Sequence, residues 1–183
     1  MSISHYLSAT GHTATLSTGA SQTREGEEIQ VNFAADPLSQ RMLFDQKPRQ
    51  PLGMGASHAS IHHAYGSVRA LYNAGVPIIV GSDASGQARG TAYGLGVHIE
   101  IHLLTHKVGM APIDVLKGAT SLTADRFGFH DRGRIGPGKK ADLVLVEGDL
   151  RDILRDESNL CLPIRGVWRD GMLAAAWGKD IFL

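Results

Sequence analysis

A run of apolar residues, Val76-Pro77-Ile78-Ile79-Val80, stops at Gly81-Ser82-Asp83, and this boundary constrains the fold more than any other feature of the chain. An apolar run without alternation reads as a strand covered on both faces, as in a parallel sheet flanked by helices. Such sheets keep ligands and chemistry at the carboxyl ends of their strands, which makes Asp83 the first candidate functional residue. The preceding segment agrees. From His58 onward Ile61, Ala64, Tyr65, Val68, Leu71 and Tyr72 recur at three- and four-residue spacing, and Asn73-Ala74-Gly75 ends that stripe with Gly75 as the expected C-cap. Helix followed by strand is half of an α/β repeat.

Downstream, a Gly-rich loop over 81–96 leads to a helical period over Val97 to Lys107. A second helix is expected from Met110 with Pro112 in its first turn, and a third from Ser121 with Thr120 or Ser121 as N-cap. The chain then changes character. Gly133 to Lys140 is turn-forming, Ala141 to Val146 reads as a strand, and Val167 to Trp177 reads as a hairpin turning near Asp170-Gly171. Upstream, Thr13 to Ser17 is a short strand candidate, and 18–57 reads mostly as an extended connection with a helical turn near Leu38 to Phe44.

At 183 residues the chain has room for one domain, or for one and part of another. Eighteen basic residues balance eighteen acidic ones, so no charge footprint for nucleic acid or an anionic membrane is present. No window approaches the roughly 18 apolar residues of a spanning helix, and the expected compartment is the cytoplasm. Cys161 is a lone cysteine, which excludes an intrachain disulfide and a Cys-rich zinc site.

The ordered segments GVPIIVGSDAS, HIEIHLL, VGMAPIDVLKGATSLTADRFGF and DRGRIGPGKKADLVLVEGDL closely resemble the C-terminal portion of the amidohydrolase superfamily, especially its imidazolonepropionase-like and prolidase-like metal-dependent hydrolases. The resemblance implies an α/β chain that holds the last strands and helices of an incomplete (β/α)8 barrel together with part of a small β-sandwich. It divides the chain into a poorly defined segment 1–57 with one barrel strand near 13–17, a barrel part 58–132, and a sandwich part 133–183. By the same resemblance Asp83 is a ligand of a catalytic divalent metal, usually zinc, and the base that takes a proton from the attacking water. The substrate class implied is a small molecule with a carbon–nitrogen bond, non-peptide or dipeptide-like. His98 and Glu100 match the stretch that shapes the loop beyond the last barrel strand.

The family's His-x-His after the first barrel strand has no counterpart here, nor do its middle-strand lysine or glutamate and the two following histidines. A full barrel takes about 250 residues, and a catalytic zinc normally takes three protein ligands. The expectation is therefore a truncated chain, inactive alone unless another chain supplies ligands. The alternative is an inactive fragment or pseudoenzyme that acts by associating with a partner chain or with its own copies.

Other candidates are weaker on their own chemistry. His98, His102 and His106 share one helical face at i, i+4 and i+8, but HIEIH fails the metalloprotease pattern and reads as a polar face. His58, His62 and His63 open a helix and read as solvated or capping. Ser82 and Ser85 flank Asp83 and could face substrate, without the G-x-S-x-G elbow of a nucleophilic serine. Gly86 to Gly94 matches neither phosphate-binding fingerprint.

Overall fold

The computed structural model describes residues 12–14, 16, 32–33, 40–41, 60–84 and 92–176. Ser85, His58, most of the 38–44 segment and the end of the hairpin at Trp177 lie outside them.

Helix α1 spans Ile61–Asn73. Ser60 caps it, its side chain accepting from the His62 amide at 3.3 Å. The C-terminus is a Schellman motif: the Val76 amide donates to the Leu71 carbonyl (3.0 Å) and Gly75 to Tyr72 (2.9 Å). Gly75 takes the left-handed conformation (φ +77°) one position past the cap residue Ala74, so the chain turns directly into the next strand. Strand β2 covers Ile78–Val80 and pairs in parallel with β1, His12–Ala14, in the register His12 to Ile78 through Ala14 to Val80. The strand expected over Thr13 to Ser17 thus sits earlier and is shorter, with Leu16 already helical and buried in the core. The expected β2 begins two residues late because Pro77 has no amide to give the ladder.

Helix α2, Leu95–His102, continues into a π-helical segment, Leu103–Val108, in place of the single α-helix expected there. Gly109 ends it at φ +85°. Arg69 of α1 reaches across: its Nε donates to the Val108 carbonyl at 2.8 Å and its Nη2 to the Lys107 carbonyl, satisfying acceptors that a helix end leaves open. Arg69→Ala should cost about 1 kcal/mol in chemical denaturation, since charge-assisted hydrogen bonds are removed at a partly solvated site. Helix α3, Pro112–Ala119, begins at Pro112 as expected. Helix α4, Ser121–Arg126, has Thr120 at its N-cap position, yet the Thr120 hydroxyl donates back to the Leu116 carbonyl (2.6 Å) and makes no capping bond.

Ile61, Tyr65 and Val68 of α1, Ile78 of β2, Ile99 of α2, Leu103 and Leu104 of the π segment and Val115 of α3 form one buried cluster. The hydrophobic cost of exposing such side chains, about 1.5–3 kcal/mol each, makes this cluster the main stabilising unit. Gly66, on α1, has open space around it, so Gly66→Ala should stabilise by about 0.5–1 kcal/mol through helix propensity, read as a raised denaturation midpoint.

The C-terminal part is a separate antiparallel sheet in the order β3 (Leu143–Val146), β4 (Ile164–Arg169), β5 (Met172–Ala176). The hairpin turns at Asp170-Gly171, both at positive φ (+53° and +79°), which is the twist a two-residue hairpin requires. Helix α5, Leu150–Arg155, connects β3 to β4, is capped by Asp149, and sends Leu154 into the main core. The sheet itself is poorly covered: Val144 is 57% and Met172 74% exposed, and Leu143, Leu145 and Leu173 are also open. No helix among the described residues is long and apolar enough to cross a membrane.

Candidate functional site

β2 is held from both sides before it reaches Asp83. Gly118 of α3 lies so close to the strand that a Cβ there would stand 2.6 Å from the Ile78 carbonyl oxygen, and Ile78 and Ile79 are buried. The strand then exits at Gly81 and Ser82 to Asp83, which is exposed and sits at φ +48°. Asp and Asn are the non-glycine residues that best tolerate this left-handed region, so the backbone there selects the residue type as well as the chemistry.

The other wall of this turn is the start of α2. A Cβ on Gly96 would meet Ser82 Cβ at 3.0 Å, Ser82 Oγ at 3.5 Å and Ala84 Cβ at 3.6 Å. Gly96 therefore lets the helix pack directly on the two residues that flank Asp83. Sequence reasoning did not single it out, and its only sequence signal is a small residue in the first turn of an otherwise bulky helix.

The remaining candidates make contacts of their own. His98, half-buried, accepts the Leu162 amide at its Nδ1 (3.1 Å), a contact with the segment leading into β4. That bond fixes the neutral tautomer with the proton on Nε2. Burial alone pushes its pKa below the ordinary histidine value. Glu100 is fully buried (0% exposed) and its charge acts on Tyr65 of α1, whose phenol is raised to about 12 by burial and then by Glu100. His102 is 6% exposed and pushed down to about 4 by burial, then by His106 and Lys107, against an opposing pull from Glu157. Its ring lies 4.7 Å from that of His106 and meets Phe33 edge-on. His62 and His63 are exposed on α1.

A metal of the kind the resemblance implies needs several converging donors. Among the described residues no three His, Cys, Asp or Glu side chains are placed to hold one ion. The described residues therefore do not complete a three-ligand zinc set around Asp83. A cavity of about 360 Å³ lies at the opposite, N-terminal end of β2, lined by Val76, Pro77, Ile78 and Met110. Its charged rim is satisfied internally: the Tyr72 hydroxyl donates to Asp114 (2.8 Å), Lys117 pairs with Asp114 (3.3 Å), and Arg134 with Asp125 (2.6 Å). Strand carboxyl ends, not amino ends, carry chemistry in this architecture, so Asp83 outranks that cavity as the site.

Comparison with known proteins places the chain in a family. The chain is 39% identical over 83 residues to adenine deaminase 2 of Desulfotalea psychrophila, covering 45% of this chain and 13% of that protein. It is 31% identical over 104 residues to imidazolonepropionase of Deinococcus deserti, covering 56% of this chain and 25% of that protein. The chain thus spans a quarter or less of the length of these relatives. A crystal structure of an amidohydrolase superposes on 92% of this chain and 35% of its own, at 22% identity and a TM-score of 0.56, a likeness of fold. Residues 51–177 match the Amidohydrolase family, whose fold is built on a (β/α)8 barrel, and the chain belongs to that family.

Proposed function

We propose that this chain supplies the Asp83 carboxylate to a metal-dependent hydrolase that cleaves a carbon–nitrogen bond of a small molecule. The observation that carries the reading is a carboxylate placed directly after a buried parallel strand, inside the region that matches the family. In this reading 58–132 is the closing part of a barrel, and the sheet from β3 to β5 is part of a sandwich whose second layer lies outside the described residues. The open apolar side chains of that sheet support this. Ser82 borders the substrate in this reading.

A divalent metal in such a site, zinc being the usual one, would lower the pKa of a bound water and polarise the substrate carbon. Asp83 would accept the proton released by the attacking water and return it to the leaving nitrogen. The remaining ligands of a three-ligand set would then have to come at least in part from outside the described residues, among which no three such side chains converge.

Gly96→Val tests the geometry. By driving a side chain into Ser82 and Ala84 it should displace the turn that aims Asp83 and lower kcat by about 10- to 100-fold, with KM changed less. Unchanged turnover in a folded Gly96→Val protein would remove the assigned role of this wall.

One set of observations favours a second reading, an inactive relative that acts by associating with a partner chain. β3 has one paired edge and open apolar residues, a surface that other chains can cover. Size-exclusion chromatography separates the two: a dilute, salt-insensitive monomer with cooperative unfolding speaks against association.

A further inference from the structure

The histidines of α2 and the π segment are not scattered. His98, His102 and His106 all line one small cavity of about 10 Å³, whose other wall is Leu154, Asn159, Leu160 and Leu162. This wall belongs to α5 and to the connection that joins it to β4, so the cavity lies in the seam between the main core and the antiparallel sheet. Three contacts close the seam: the Leu162 amide donating to His98 Nδ1 at 3.1 Å, Leu154 in the core, and the Lys107–Glu157 pair at 2.6 Å.

Two of these features depend on neutral imidazoles. His98 can accept the Leu162 amide only while Nδ1 carries no proton; protonation would set one N–H against another. His102 is buried, and its Nδ1 has no hydrogen-bond partner among the described residues. A proton on it would place a cation in the seam beside His106 and Lys107, with Glu157 the carboxylate acting on it and that carboxylate already engaged by Lys107.

We propose that this seam is an acid-released clasp, closed while His98 and His102 are neutral and opened by their protonation, so that the β3–β5 sheet loosens from the core before the core unfolds. The direction follows from linkage. Both histidines take a proton less readily in the closed state than the ordinary value of 6.5, so the open state binds more protons and falling pH favours it. For His102 the effect grows from 6.5 down to about 4 and is then complete. The carboxylates facing the seam do not compete in that window: Asp156 is held below its ordinary value by Ser158, and Glu157 by Lys107.

Amide hydrogen exchange of the whole chain, corrected for the intrinsic pH dependence of exchange, tests the proposal. As pH falls below 6.5, protection at Leu162 should drop on the order of tenfold per pH unit for each proton taken up, while Tyr65 and Val68 amides stay protected. In the His98→Asn/His102→Leu double variant, where Asn keeps an acceptor near the Nδ1 position and neither residue titrates, Leu162 should stay protected across that window. Three results would overturn the clasp: flat protection at Leu162 in the wild type, loss at the same pH in the double variant, or simultaneous loss in α1. The wild-type scan decides the matter even if the double variant fails to fold.

Discussion

On the proposed function, Asp83→Asn should lower hydrolysis of a carbon–nitrogen substrate by about 10²- to 10⁴-fold, the range associated with removing a positioned proton acceptor. The expected loss is in kcat, because on the proposed reading the variant removes a carboxylate that serves as both proton acceptor and metal ligand and leaves the surrounding turn intact. Stability should hardly move: Asp83 is exposed at φ +48°, and Asn is at least as tolerant of that backbone region as Asp. Asp83→Ala is the poorer probe, since a residue without a local hydrogen-bonding side chain costs roughly 1–2 kcal/mol in the left-handed region. Turnover by Asp83→Asn within threefold of wild type, measured on folded protein, would show that the carboxylate is not the proton acceptor.

Gly118→Ala should cost up to about 2 kcal/mol net, a large effect for one methyl group. The added Cβ would lie 2.6 Å from the Ile78 carbonyl oxygen, which belongs to backbone and cannot rotate away, and 3.4 Å from a Val80 methyl. Overpacking of this kind forces helix and strand apart, at a typical cost of 1–3 kcal/mol, against which the helix propensity gained by losing glycine offsets about 1. Urea denaturation of Gly118→Ala and Gly66→Ala side by side isolates the packing term, because the same chemical change is made on two helices, one closed against β2 and one open. Equal midpoints would mean that α3 does not press on β2 as described. Since the same strand carries Asp83, a folded Gly118→Ala protein should also lose part of any Asp83-dependent activity.

Features set by local chemistry were legible in the sequence. The α1 stripe ends at Asn73-Ala74-Gly75 because a Schellman turn needs a residue at positive φ there, and the Asp170-Gly171 hairpin follows from the same demand. Pro112 opens α3 for want of an amide that the first turn would not use. The order of α/β body and appended antiparallel sheet was likewise readable from the change of periodicity near Gly133.

Features set by distant contacts were not. The π segment has no mark in LLTHKV; the wider turn is seen only with Arg69 of α1 satisfying its last carbonyls. His98 looked like one residue of a polar face, and its partner is an amide 64 positions away. Thr120 has the composition of a cap, yet its hydroxyl finds the Leu116 carbonyl first. The exit of β2 toward Asp83 was the reverse case, because a strand terminus is a local signal.

Elemental analysis of the purified protein, together with any chain that copurifies with it, addresses the central claim most directly. Wild type and Asp83→Asn would be exchanged into metal-free buffer after zinc loading and their bound metal counted per chain. The account predicts close to one zinc per wild-type chain and less than about a tenth of that in Asp83→Asn, as expected when one of three or four ligands is lost. Zinc retained in the variant, or absent from both proteins, would contradict it.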